Sequence, residues 1–160
     1  MDSVIVVGAG IAGLACARTL GEAGLPVTVV DRGRKVGGRM ASRRLQDRPT
    51  DLGAAFFTVS DPRFAAVVDD WKDRDLARPW TSSFTVLDAG QAPGSTSGPV
   101  RWGTPGGIRT LAEDLAHGVL VEQGQVTVVS AGDDGALRVD GRPASAVVLA
   151  MPDPQARVLL

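Results

Sequence analysis

Short apolar runs, separated by stretches with helical spacing, recur along the chain. The first run ends at Val7, a second covers residues 27–30 and a third covers residues 146–150. The continuous apolar composition of the third run fits a strand that is buried on both faces of a sheet. A helical pattern directly follows the first run, so strand and helix alternate as they do in βαβ units. The pattern predicts an α/β fold of the Rossmann type.

The pattern changes between residues 56 and 100, which we interpret as the start of an inserted α+β subdomain. Asp61 is a suitable N-cap for a helix that has Pro62 at its first position. Residues 83–87 predict a short strand, and the Gly, Ser and Pro content of residues 92–99 predicts a flexible loop. The apolar residues of the helix share one face: Phe64, Val67, Val68 and Trp71.

Residues 101–160 return to the α/β pattern. A helix is expected to begin at Thr104, because apolar residues then recur at helical spacing. Short apolar runs and one turn follow it: strands at 119–121, 126–129 and 137–139, and the turn at 133–135. A further helix-like run begins at Pro154, and its last three residues, 158–160, have no predicted partner in the sequence.

A glycine-rich turn joins the first strand to the first helix. Gly8 permits the tight turn, Gly10 lets the backbone approach a pyrophosphate, and Gly13 lets the helix pack closely on the strand. The backbone amides at the start of the helix, at Ile11 and Ala12, favour a bound phosphate. The turn therefore predicts a dinucleotide site.

The segment that follows the second strand indicates which dinucleotide is bound. It starts with Asp31, whose carboxylate would accept hydrogen bonds from a ribose diol, and continues through Arg32 into a basic loop. Gly37 and Gly38 allow a second backbone segment to approach the cofactor, and Arg39 can offset phosphate charge. This arrangement resembles the RxGGRxxS/T motif of the flavin-containing amine oxidase superfamily, and the resemblance implies FAD as the cofactor.

Three further segments resemble the renalase-like branch of that superfamily: residues 51–58, 61–64 and 102–107. The resemblance implies a flavin that accepts a hydride from a nicotinamide-like or amine substrate and passes the electrons to oxygen. It also implies a backbone contact from Val126 to the adenine. The family continues with most of a substrate domain and a further flavin-contacting segment, so the resemblance implies that the chain is the N-terminal half of a longer protein.

The residue pattern and the resemblance together define the expected domains and cofactor contacts. Residues 1–55 and 101–160 would form the FAD-binding domain, and residues 56–100 would begin an incomplete substrate subdomain. No residue is assigned to catalysis. The expected cofactor contacts are Gly8, Gly10, Ile11, Ala12, Gly13, Asp31, Arg32, Gly37, Gly38, Arg39, Met40 and Val126.

Composition and charge argue against several other functions. The chain has 160 residues, of which 44% are hydrophobic, and its net charge of −1 offers no field for nucleic acid or an anionic membrane. No apolar run approaches the ~20 residues of a membrane span. No signal peptide precedes the first strand, and the single Cys16 precludes an internal disulfide, so we expect a cytoplasmic protein with a small-molecule substrate. With His117 as the only histidine, the sequence offers no thiolate or histidine metal site.

The three tryptophans are candidates for contact with a planar substrate. Trp71 completes the apolar face of its helix, so it is assigned to the core. Trp80 and Trp102 have no such pattern, and for them core packing and a substrate wall both remain open.

Two other functional interpretations also stay open. In the first alternative, the chain is a non-catalytic nucleotide-binding module that needs a partner segment or a second copy to complete it. In the second, it is an NAD(P)-dependent dehydrogenase. The apolar residues 158–160 favour the first of these, and Arg32 could accept a 2′-phosphate in the second. The Gly37-Gly38-Arg39 sequence argues against the dehydrogenase.

Overall fold

The computed structural model describes residues 3–132 and 135–160 and separates into two compact units. The first unit contains the chain up to Ala41 and from Leu111 onward, and the second contains residues 42–110. These limits differ from the expected ones at residues 55 and 101. The difference arises because a hairpin at 42–51 and the segment 101–110 cluster with the residues between them.

The helices and strands follow one another in an order that confirms a mixed α/β chain. In chain order they are β1 (Val4–Val7), α1 (Ile11–Glu22), β2 (Val27–Asp31), β3 (Ser42–Leu45), β4 (Arg48–Asp51), β5 (Phe57–Thr58), α2 (Pro62–Asp73), β6 (Arg78–Val86), β7 (Gly94–Gly103), α3 (Arg109–Leu115), β8 (Leu120–Gln123), β9 (Val129–Ala131), β10 (Leu137–Val139), β11 (Arg142–Ala144), β12 (Ala146–Leu149) and α4 (Asp153–Ala156). A short 3₁₀ turn at Gly38–Met40 precedes β3.

The first unit is built on a parallel sheet in the order β12-β1-β2-β8. All four residues of β1 are buried, and their side chains alternate between two hydrophobic clusters. Val4 and Val6 pack with Leu14 of α1, whereas Ile5 and Val7 belong to the cluster on the other face. Burial on both faces explains why this strand is continuously apolar.

A small antiparallel sheet, β11-β10-β9, contributes Val129, Val139 and Ala144 to that second cluster. The same cluster contains Leu159, which is only 8% exposed. The expectation that residues 158–160 lack a partner is therefore wrong for Leu159, although Val158 and Leu160 are exposed. The turn expected at 133–135 falls partly outside the described residues.

The second unit contains the antiparallel sheet β5-β7-β6 and the separate hairpin β3–β4. The expectation of a flexible loop at residues 92–99 is wrong, because Gly94 begins β7 and pairs with Val86 of β6. Hydrogen bonding to a neighbouring strand outweighs the unfavourable β-propensity of Gly and Pro here. Both strands are largely exposed and rich in Ser and Thr, so no apolar alternation marks them in the sequence.

Helix α2 has the start that its sequence predicts. The Asp61 carboxylate accepts a hydrogen bond from the backbone amide of Arg63 at 2.7 Å, and Pro62 occupies the first turn. Trp71 is 2% exposed, which confirms its place in the core. Its ring lies edge-on to Phe57 and Phe64, with centroid separations of 6.1 and 6.0 Å.

Helix α3 begins later than expected, at Arg109 rather than Thr104. The Thr104 carbonyl accepts a hydrogen bond from Gly107 in a turn, and the Asp51 carboxylate then accepts one from the amide of Ile108 at 2.8 Å. Ser42 donates to the same carboxylate oxygen at 2.6 Å. The helix start is thus fixed by side chains distant in sequence, which the local pattern cannot reveal.

Candidate nucleotide site

The three glycines of the turn between β1 and α1 occupy three different environments. Gly8 has a φ of +111°, and a Cβ there would lie 2.7 Å from the carbonyl oxygen of Ala150. A Cβ at Gly13 would collide with the Gly8 carbonyl oxygen, so a side chain there would push α1 away from β1. A Cβ at Gly10 would meet nothing within 4 Å. Packing therefore explains Gly8 and Gly13 but leaves Gly10 unexplained.

Helix α1 presents its N-terminus at this open position. Gly10 is the N-cap, no side chain caps the helix, and its first turn contains no acidic residue. Ile11 and Ala12 are exposed in that turn. The amides of a first helical turn have no carbonyl partner within the helix and carry partial positive charge. The turn is thus suited to a bound phosphate group.

Asp31, the last residue of β2, stabilises this turn through hydrogen bonds from two backbone amides. One carboxylate oxygen accepts the amide of Ala9 at 2.7 Å, and the other accepts the amide of Gly33 at 2.6 Å. The carboxylate has about four acceptor positions, so two remain after these bonds. Asp31 therefore supports the turn and retains capacity for a ligand hydroxyl.

The paired glycines pack on the same turn. The amide of Gly37 donates to the Ala9 carbonyl at 2.8 Å, and Gly37 forms a β-bridge with Gly10. A Cβ at Gly38 would approach the Gly10 Cα to 3.4 Å. Arg39 is exposed, whereas Met40 is buried and its backbone amide donates to the Gly37 carbonyl.

A cleft of about 350 Å³ lies at the carboxyl ends of the parallel strands. Val7, Gly8, Val30 and Asp31 form one part of its wall, and Arg32 lies beside them. Ligands of open α/β sheets bind outside the carboxyl ends of the strands, so this is the expected place for a nucleotide. The remaining wall includes Val126, which was expected from the resemblance, and seven residues that were not expected: Gly124, Gln125, Met151, Pro154, Gln155, Val158 and Leu159.

Val126 lines this cleft, but it lies in the connection between β8 and β9 and not in a strand as expected. The carboxylate of Asp140 holds this connection. It accepts the Thr127 hydroxyl at 2.6 Å, the Thr127 amide at 3.0 Å and the Val128 amide at 2.9 Å. These bonds, the Thr127 hydroxyl foremost, lower the pKa of Asp140 below its ordinary value of 3.8.

The structure brings the glycine turn, Asp31 and the paired glycines together, and it places Arg32 and Val126 on the cleft. Arg39 lies beside the turn but does not line the cleft. Within residues 3–132 and 135–160, no group of three His, Cys, Asp or Glu side chains is arranged to hold a metal ion. In the same residues, no helix is long and apolar enough to span a membrane.

Comparison with known proteins extends these observations. Residues 6–71 match a protein family described as an NAD(P)-binding Rossmann-like domain. Hydroxyneurosporene desaturase of Rubrivivax gelatinosus is 47% identical over 66 residues, covering 39% of this chain and 13% of that protein. (S)-6-Hydroxynicotine oxidase of Paenarthrobacter nicotinovorans is 34% identical over 135 residues, covering 78% of this chain and 31% of that protein.

A further relative and a solved structure agree with these matches. A Mycobacterium tuberculosis protein whose name describes a flavin-containing monoamine oxidase is 47% identical over 53 residues, covering 33% of this chain and 12% of that protein. The fold is similar to a putrescine oxidase structure with bound putrescine, with a TM-score of 0.73, 15% identity and coverage of 99% of this chain and 60% of that chain. The chain thus spans less than two thirds of each of these proteins.

Proposed function

We propose that, across its nucleotide-binding region, the chain belongs to the superfamily of flavin-containing amine oxidases and desaturases and that its first unit binds the cofactor. FAD is the cofactor that these relatives indicate. Gly10 and the backbone amides of the first turn of α1 would hold the pyrophosphate, and Arg39 would offset its charge. Asp31 would accept hydrogen bonds from the ribose, and Arg32 and Val126 would contact the adenine.

The observation that carries this proposal is the contrast between Gly10 and its two neighbouring glycines. Packing requires a glycine at Gly8 and at Gly13, because a side chain would collide with backbone. At Gly10 the space is open, so packing does not require a glycine there. The missing side chain instead leaves room for a ligand to approach the backbone. A pyrophosphate that accepts hydrogen bonds from the amides of α1 needs this close approach.

The residues of the chain contribute binding and orientation. Asp31 holds the amides of Ala9 and Gly33 in place, which fixes the turn before the nucleotide arrives. A pre-formed turn loses little conformational entropy on binding and so favours affinity. When bound, FAD supplies a two-electron acceptor to the protein.

We further propose that the whole protein oxidises a small amine or nicotinamide-like substrate and passes the electrons to oxygen. The resemblance of residues 51–58, 61–64 and 102–107 to the renalase-like branch supports this finer assignment. The matched oxidases support the coarser one, an oxidoreductase that acts on a small molecule. A cytoplasmic location is part of the same proposal.

The decisive experiment is a visible absorption spectrum of the purified chain after incubation with excess FAD and desalting. Retained flavin absorbance supports the proposal, and calorimetric titration with ADP tests the adenosine half separately. Binding of ADP without retention of flavin would assign only the half-site to this chain. Binding of NADPH in preference to FAD would instead favour the dehydrogenase, with Arg32 on the 2′-phosphate.

Replacement of Asp31 tests the ribose contact. Asp31→Ala should weaken ADP binding by about 1–3 kcal/mol, the cost of losing charge-assisted hydrogen bonds. Asp31→Asn keeps one acceptor oxygen and replaces the other with an NH₂ group, so it loses the hydrogen bond from either Ala9 or Gly33 together with the negative charge. Asp88→Asn, an exposed aspartate of the second unit, is the matched control. An unchanged ADP affinity in both Asp31 variants would remove this residue from the site.

A further inference from the structure

Arg101, near the end of β7, has a partly buried guanidinium. Its Nη1 is inaccessible to solvent and forms no hydrogen bond. Within the described residues, no carboxylate lies within ion-pair distance of Arg101. Its guanidinium carbon lies 4.0 Å from the ring centroid of Phe84 and 5.7 Å from that of Phe56. The positive charge is therefore held by aromatic faces alone.

Two irregularities in the β6–β7 pairing flank this arginine. From the pair Pro79–Trp102 to the pair Thr81–Arg101, β6 advances by two residues and β7 by one. From Thr81–Arg101 to Ser83–Ser97, β6 advances by two residues and β7 by four. Bulges of this kind redirect side chains and are frequent beside functional sites. Between these two irregularities lies one β6–β7 pair, Thr81–Arg101.

A third aromatic ring packs against the two rings that contact the arginine. Trp80, the extra residue of the first bulge, lies with its ring centroid 6.1 Å from Phe56 and 5.8 Å from Phe84. Trp80 is 58% exposed and Phe56 is 39% exposed. These open rings form an apolar surface next to the guanidinium, against which a planar molecule can stack.

The chemistry of the guanidinium defines what this surface can bind. Nη1 is closed to solvent and therefore also to a ligand, so a ligand would meet Nε and Nη2, which form no hydrogen bond within the described residues. This edge of a planar guanidinium matches a carboxylate with two parallel hydrogen bonds. The apolar rings favour a planar organic body over a fully hydrated anion.

We propose that Arg101, Phe56, Trp80 and Phe84 form a binding site for a small planar carboxylate, in which Arg101 pairs with the carboxyl group and the rings contact the body of the molecule. All four residues belong to the second unit, whereas the residues of the nucleotide site belong to the first. The proposal therefore does not depend on the assignment of FAD.

The test is a titration of the full chain with benzoate, followed by tryptophan fluorescence and by calorimetry at about 0.15 M salt. Benzamide, which has the same shape without the charge, and inorganic phosphate, which has charge without the planar body, are the comparison ligands. The expected result is saturable benzoate binding that is about tenfold or more tighter than binding of either comparison ligand. Equal binding of benzamide, tighter binding of phosphate, or no benzoate binding would overturn the proposal.

Two substitutions at Arg101 test its role. Arg101→Gln should weaken benzoate binding about tenfold or more, since it removes the charge. Arg101→Lys keeps the charge and the aliphatic stem but loses the planar fork, so it should weaken benzoate binding while the thermal unfolding curve is retained. If the glutamine variant does not fold, the lysine variant decides the question, and an unchanged affinity there would overturn the proposal.

Arg78→Gln is the matched control, because Arg78 is an exposed arginine on the neighbouring strand. Its benzoate affinity should equal that of the wild type. An equal loss at Arg78 and Arg101 would show a general effect of positive charge and contradict the proposed site. FAD retention is measured on the same samples, so failure of the nucleotide site is distinguished from failure of this one.

Discussion

The two units of this protein reach stability in different ways. In the first unit, β1 is buried on both faces, and each successive residue enters a different hydrophobic cluster. In the second unit, most of β6 and β7 is exposed, and the buried contacts concentrate on aromatic rings between Phe57 and helix α2. Strands of a sheet that is covered on both faces have continuous apolar sequences, so they can be recognised in the sequence. Strands of a largely exposed sheet have no such apolar run.

The largest expected effect lies at the centre of the aromatic cluster. Trp71→Ala should lower the free energy of unfolding by about 3–5 kcal/mol, because it leaves a cavity among Phe57, Phe64 and α2. Trp80→Ala, at an exposed ring of the same unit, should cost only about 0.5–1 kcal/mol. Urea unfolding followed by far-ultraviolet circular dichroism measures both. Equal losses would show that the cluster around Phe57 is not the dominant core of the second unit.

A comparable test of the first unit uses two glycines of helix α1. Gly13→Ala should destabilise the protein by about 3 kcal/mol, since the new Cβ would collide with the Gly8 carbonyl and overpack the contact between α1 and β1. Gly21→Ala places a Cβ in open space and should leave stability unchanged or raise it by up to about 1 kcal/mol. The same urea unfolding experiment applies, and a tolerated Gly13→Ala would contradict the close packing described here.

Gly10 separates packing from ligand binding within the first unit. Gly10→Ala should alter the free energy of unfolding by only about 0.5 kcal/mol, because nothing lies within 4 Å of the added Cβ. It should weaken FAD or ADP binding about tenfold, because the methyl group occupies the approach to the pyrophosphate. Thermal unfolding and calorimetric titration are compared on one preparation. Unaltered nucleotide affinity would argue against a pyrophosphate at this turn.

The smallest expected effect concerns acid. Hydrogen bonds from Thr127 and Val128 lower the pKa of Asp140 in the first unit, and bonding to Arg63 lowers that of Asp61 in the second. The folded state therefore favours both ionised carboxylates, and their stabilisation is complete above the ordinary value of 3.8. It is lost as the pH falls through the lowered values.

Asparagine variants measure how much each of these two carboxylates contributes to the loss of stability in acid. Asp140→Asn should flatten the acid side of the thermal stability profile in part, and Asp61→Asn should remove a separate part. The wild-type profile is recorded from about pH 6 down to about pH 3 for comparison. An acid limb that is identical in the wild type and in both variants would show that neither carboxylate contributes.

The sequence predicted the glycine turn more fully than it predicted the surrounding fold. Spacing alone selected Gly8, Gly13 and Asp31, which the structure brings to one turn, and their contact with a nucleotide stays a prediction. Helix α2 could also be predicted, since its cap and apolar face are local features. Strand β7 was mistaken for a loop, because its partner supplies the hydrogen bonds that its Gly, Ser and Pro content does not favour.

The features decided only by the tertiary structure depend on residues that are distant in the chain. The cleft is lined by the ends of β1 and β2 and by residues from the ranges 124–126 and 151–159. No local sequence pattern predicts that these segments lie close together. Likewise, Asp31 was expected to bind a ribose. Only the fold revealed that its carboxylate accepts hydrogen bonds from the backbone amides of Ala9 and Gly33. The sequence by itself determined the α/β class, the dinucleotide turn and helix α2, because each depends on steric and hydrogen-bonding requirements within a few residues. Tertiary structure determined the cleft, the unpaired Arg101 among its rings and the burial of Leu159, because these depend on which distant surfaces meet.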